Sequence, residues 1–138
     1  VTRAVPRERL DRLAFAGAVV ANLVLLYAPR TVSPGGVPHL DKVAHLVAFA
    51  AVAWTGLRAG VAARLLLPLL VLHAVTSEVV QARWLGQRSG DWLDVLADLV
   101  GVLAGALLAQ ASWPYERAAL RRGRRSHGPV AGRDPGAR

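Results

Sequence analysis

Eight residues combine acidic, basic and amide chemistry with positions inside or beside long apolar runs: Asp41, Lys42, His45, Glu78, Gln81, Arg88, Asp94 and Asp98. An ionisable side chain at membrane depth costs about 3 kcal/mol on insertion scales and by default marks a functional site. Several kinds of chemistry are open to this set. Arg88 and Lys42 offer charge-assisted donors to a phosphate. Asp94 and Glu78 offer carboxylates for acid–base work or for a divalent cation. Asp41 stands one helical turn before His45, where a carboxylate can fix an imidazole tautomer.

Spacing groups these residues by face. Asp94, Asp98, Gly101 and Gly105 follow one another at intervals of four, three and four, which is one stripe of a helix. Gly101 and Gly105 form a small-xxx-small pair that lets another helix backbone approach closely. The carboxylates on that stripe therefore point into a bundle. Asp98 lies about 9 Å deeper than Trp92 at the helical rise, so it needs a partner or a proton. Glu78 and Gln81 likewise share one helical face.

The elements that must position them are apolar spans. The chain has 138 residues, 54% of them hydrophobic, which predicts a single domain of membrane helices. The expected fold class is all-α, an integral membrane bundle of four transmembrane helices. Residues 1–12 form a polar N-terminal segment and residues 13–113 the membrane domain. Its helices are expected over about 13–29, 42–58, 61–81 and 91–112. The first run, Leu13 to Pro29, exceeds the roughly 7–15 residues of a signal h-region, and Tyr27-Ala28-Pro29 is a poor cleavage site. An uncleaved first helix is expected. Asp41 is placed to cap the second helix, and Pro68 falls inside the third, where membrane helices tolerate it. Trp92 and Trp113 bracket the fourth as interfacial aromatics do. Residues 114–138, rich in Arg, Gly and Pro, read as a basic, disordered tail.

Charge then sets orientation. Thirteen of the 17 basic residues fall in the N-terminal segment, the turn at Arg58 and Arg64, and the tail. That side is cytoplasmic by the positive-inside bias, so both termini are expected inside. The polar cluster then lies at the outer face. A net charge of +8 raises nucleic-acid binding. The basic residues are nearly all arginines at the chain ends with few aromatics between them, which suits anionic lipid headgroups and not nucleic acid. The absence of cysteine removes disulfide and thiolate–metal chemistry.

Taken in order, Asp41-Lys42-x-x-His45 with Phe49, Glu78-x-x-Gln81, Arg88, and Asp94-Val95-Leu96-Ala97-Asp98-Leu99-Val100-Gly101-x-x-x-Gly105 resemble the VanZ-like membrane protein family over about residues 38–109. The resemblance implies a small protein of the bacterial cytoplasmic membrane, whose name-giving relative confers low-level resistance to the glycopeptide teicoplanin. It implies no agreed molecular activity. One position departs: the family usually carries Asn where this chain has Asp98, an additional deep negative charge.

Three functions follow as expectations. The first is binding of a lipid-linked cell-wall precursor or an amphiphilic glycopeptide at the outer face, in teicoplanin tolerance or envelope homeostasis, with membrane lipids as the standing partners. The second is a membrane-embedded hydrolase or transferase acting on a lipid phosphate. The third is a structural subunit of a larger membrane complex. Beside these stands a plain interhelical clasp, with bridges such as Asp94 to Arg88 and Glu78 to His45 or Lys42 that only hold the bundle together. No cofactor is assigned. A divalent metal on His45, Asp41, Glu78 and Asp94 is chemically open, as mixed N and O ligands suit zinc, manganese or magnesium, but no tight motif such as His-x-x-x-His supports it. His73, mid-span with Ser77 one turn on, reads as a buried hydrogen-bonding histidine outside the cluster.

Overall fold

The computed structural model describes residues 6–28, 40–84 and 91–126, with side chains of the last helix described as far as Ser112. The chain is all-α. Its helices are α1 (Arg7–Tyr27), α2 (Leu40–Arg58), α3 (Ala63–Trp84) and α4 (Trp92–Ser126), and there is no strand among the described residues.

Local chemistry explains where these helices begin and end. α1 starts at Arg7, a turn and a half before its apolar run, because Arg, Glu and Leu are good helix formers and Glu8 suits the positive end of the dipole. The Pro6 carbonyl accepts the Arg9 and Leu10 N–H groups at 2.9 and 3.3 Å. α2 starts at Leu40, so Asp41 lies in its first turn and is not its cap. Its end is a Schellman turn. The Gly60 N–H reaches the Leu57 carbonyl (3.1 Å) and the Val61 N–H reaches the Gly56 carbonyl (3.0 Å). Gly60 has φ +87°, a conformation that a Cβ disfavours. α3 runs one turn further than expected, to Trp84, and carries Pro68 in its second turn. α4 continues to Ser126 instead of closing at Ser112, consistent with the helix-favouring Glu, Arg, Ala and Leu after Pro114. Residues 127–138 of the expected tail lie outside the described residues.

The packing is centred on α2, which makes its most extensive contact with α4 and its next with α1. α2 and α4 run parallel. Lys42 meets Asp94, and His45 meets Asp98. Further along, Gly101 lies against the Leu46 backbone and Gly105 against Ala50 and Ala53. The two glycines let the helices approach until backbone touches backbone. Leu26, Phe49, Val52, Leu66, Leu70 and Ala74 fill the centre.

The outside is as apolar as the inside. Leu65, Leu69, Leu72, Leu103, Leu107 and Leu108 are all exposed, while His45, Ser77, Glu78, Gln81, Asp94 and Asp98 are buried. An apolar shell of that extent on a water-soluble monomer would be an association surface. Instead, all four helices are long and apolar enough to cross a membrane, as in a multi-pass integral membrane protein. Exposed Trp84 and Trp92 mark one end of the bundle. At the other end the Arg58 guanidinium lies over the Trp54 ring at 5.2 Å and reaches Asp11 at 3.4 Å, tying the end of α2 to the start of α1.

Candidate functional site

The polar residues collect where α2 and α4 begin and α3 ends. Asp91 joins all three helices. Its Oδ1 accepts the Leu93 N–H at 2.9 Å, making it the N-cap of α4. Its own N–H donates to Glu78 Oε2 of α3 at 3.0 Å. Its Oδ2 accepts from Lys42 Nζ of α2 at 2.6 Å. Lys42 and, after it, the Leu93 N–H hold the Asp91 carboxyl below the usual carboxylate range.

Lys42 also donates to Asp94 Oδ1 at 2.9 Å. The ammonium is thus divided between two carboxylates, with Asp41 at the margin, 3.9 Å away. Lys42, expected to meet a phosphate, gives two of its three N–H donors to the protein's own acids.

One turn deeper, His45 Nδ1 and Asp98 Oδ1 stand 3.0 Å apart with both side chains essentially sealed from solvent. The pairing differs from the expected Asp41–His45 contact. Residues four apart on one helix are neighbours only when both side chains lean to the same groove. Here the imidazole turns inward to α4, leaving Asp41 near the surface. The deep negative charge of Asp98 therefore finds its partner on α2.

Glu78 lies against both layers. It is 7% exposed, and while Oε2 holds the Asp91 N–H, Oε1 has no hydrogen-bond partner among the described residues. The same is true of Asp98 Oδ2. Donor atoms of His45, Glu78 and Asp94 all lie within 4.8 Å of one another. Gln81, a turn beyond Glu78 on α3, is also buried. Arg88 lies outside the described residues, so the expected Asp94–Arg88 bridge does too; the described partner of Asp94 is Lys42.

Two residues outside the initial set are structurally prominent. Asp91 links three helices, and the Ser89-Gly90-Asp91 breaker run before an apolar stretch is the cap signal that points to it. Asn22 is the one amide in the apolar run from Leu13 to Pro29. It is buried, and its Oδ1 lies 3.1 Å from His73 Nε2, joining α1 to α3. The His73 ring stacks on Phe49 at 5.5 Å. Asn22 and His73 line an otherwise apolar cavity of about 270 Å³, with Phe15, Val52, Leu66 and Leu70 among its walls. A lone polar residue in such a run is the available sequence signal.

The assembly has carboxylates in excess. Glu78, Asp91, Asp94 and Asp98 face one ammonium and one imidazole among the described residues. Such a set can bind a cation, shuttle a proton between imidazole and carboxylate, or receive a donor-rich ligand. Comparison of the chain with protein-family models, curated proteins and solved structures gives no match.

Proposed function

We propose that this chain is a VanZ-like protein of the bacterial cytoplasmic membrane whose polar end works at the outer face. There it recognises a lipid-linked cell-wall precursor or an amphiphilic glycopeptide, and so contributes to teicoplanin tolerance or envelope homeostasis. The observation that carries this reading is the buried acid left over after the helices have paired. Glu78 Oε1 and Asp98 Oδ2 are sealed from solvent without a partner among the described residues.

An interhelical hydrogen bond in a membrane contributes about 0.6 kcal/mol on average. A buried polar atom left unpaired costs about 1–3 kcal/mol. A clasp built only to hold helices together gains nothing from the unpaired oxygens, whereas a site awaiting a donor or a cation requires them. The arginine distribution supports the outward orientation. Lys42 then acts by holding Asp91 and Asp94 in place, and the acids of the second layer meet the ligand.

The experiment is a susceptibility test in a host lacking its own copy, with Asp94→Asn beside wild type and membrane level measured for both. The expected result is loss of teicoplanin tolerance at unchanged level. Loss of level together with tolerance returns the cluster to a clasp. The paired His45 and Asp98 also favour a second reading, a hydrolase or transferase acting on a lipid phosphate, since an imidazole oriented by a carboxylate is a general base. Release of phosphate from a lipid phosphate by purified protein, abolished in His45→Gln, is its test.

A further inference from the structure

We infer that His45, Glu78 and Asp94 form a binding site for one divalent transition-metal ion of the zinc or manganese class. Their donor atoms come from three helices and already lie within 4.8 Å of one another. Ligands about 2.0–2.2 Å from a common ion stand roughly 3–4 Å apart, so small side-chain rotations close the set.

Several independent features point the same way. Glu78 Oε1 is buried and has no partner among the described residues, a condition a metal would relieve. Its other oxygen is tied to the Asp91 N–H at 3.0 Å, which fixes the carboxylate without neutralising it. His45 is held by Asp98 at 3.0 Å through Nδ1, so Nε2 is the ring nitrogen available to an ion. A carboxylate behind a histidine is the usual support of a metal-bound imidazole: it fixes the ring and raises its basicity. Asp94 gives only Oδ1 to Lys42, so Oδ2 remains for the ion.

Charge supports it too. Among the described residues Glu78, Asp91, Asp94 and Asp98 share one ammonium and one imidazole, and a divalent ion removes most of the excess negative charge. The donor set selects among ions. One imidazole nitrogen with carboxylate oxygens suits zinc or manganese, whereas calcium takes six to eight oxygens. Three protein ligands leave a coordination position open, as in catalytic and ligand-binding metal sites. The inference deepens the proposed site without depending on its ligand, because metal binding is measured with no lipid or glycopeptide present.

The full chain in detergent, stripped with chelator and dialysed, is titrated with Zn²⁺, Mn²⁺, Mg²⁺ and Ca²⁺. Bound metal is counted by mass spectrometry and affinity measured by calorimetry. The expected result is one Zn²⁺ or Mn²⁺ per chain, with Ca²⁺ and Mg²⁺ far weaker. Glu78→Gln is expected to abolish binding. Asp98→Asn is expected to weaken it about 10–100-fold, the usual effect of losing the group behind a ligating histidine. Asn22→Leu, which breaks only the α1–α3 contact, should leave it unchanged. Cobalt substitution adds a readout separate from stability: a histidine–carboxylate site gives a d–d absorption band that Glu78→Gln removes. Absence of stoichiometric metal overturns the inference, as does binding that survives in folded Glu78→Gln. Tolerance lost in Asp94→Asn with no metal in wild type would overturn the metal site and leave the ligand reading standing.

Discussion

Lys42 is the residue on which the outer layer depends. Its ammonium bonds Asp91 at 2.6 Å and Asp94 at 2.9 Å, and Asp91 in turn caps α4 and holds Glu78. Because Lys42 depresses the Asp91 pKa, this contribution to stability is complete above the unfolded-state value. It is lost as pH falls through the lower folded-state value. Lys42→Met should therefore lower the melting temperature near neutral pH, and the gap from wild type should narrow as the solution is acidified. Melting followed across acidic pH checks this; a gap that stays constant contradicts it. The sequence singled out Lys42, Glu78 and Asp94 but not their pairings. Asp41 and His45 are one turn apart in the chain, yet His45 pairs with Asp98 because α2 and α4 lie parallel in close contact. That is tertiary geometry, which spacing along one helix does not encode.

At the scale of elements, the α2–α4 contact positions the site. A Cβ at Gly101 would collide with the Leu46 carbonyl, and one at Gly105 would lie 2.9 Å from the Ala53 Cβ as well as against the Ala50 carbonyl. Backbone cannot give way as a side chain can. Gly101→Ala should destabilise the bundle by about 1–3 kcal/mol through overpacking, despite the better helix propensity of alanine. Gly17→Ala, with nothing within 4 Å, should be neutral or slightly stabilising. Unfolding of both variants in mild detergent measures the difference, and equal stabilities would mean the helices are not held at backbone contact. Here the sequence was directly legible, since the four–three–four stripe names both the acids and the glycines of one face. Helix ends were less so. α1 begins at Arg7 and not at Leu13 because hydropathy marks the buried-in-lipid stretch and not the helical turns that project beyond it.

For the whole molecule, the four apolar helices were legible from hydropathy, and the leucines on their outer surface are what the structure adds. What hydropathy could not supply was the α1–α3 contact of Asn22 with His73, since a single amide has no period. The arginine bias predicts that the turn at Ala59 and Gly60 and both termini share the cytoplasmic side. The chain has no cysteine, so single cysteines at Ala59, Gln87 and Gly128 can be labelled in cells without background. An impermeant maleimide should modify Gln87→Cys alone. Labelling of Ala59→Cys instead would invert the bundle and turn the acid cluster inward, away from any envelope ligand.

The central claim is that the buried acids serve a ligand or a cation and not the integrity of the bundle. Thermal unfolding of chelator-stripped wild type and Glu78→Gln, compared in the same detergent, tests it most directly. Glu78 accepts the Asp91 N–H with one oxygen and strands the other. A glutamine keeps an acceptor for that bond and removes a charge from a crowded acidic site. If the acid is retained for function, Glu78→Gln should unfold at the same temperature as metal-free wild type or higher, as when a strained functional site is relieved. If Glu78→Gln instead loses about 1–3 kcal/mol, as when a satisfied buried group is removed, the cluster is a clasp and the functional account fails.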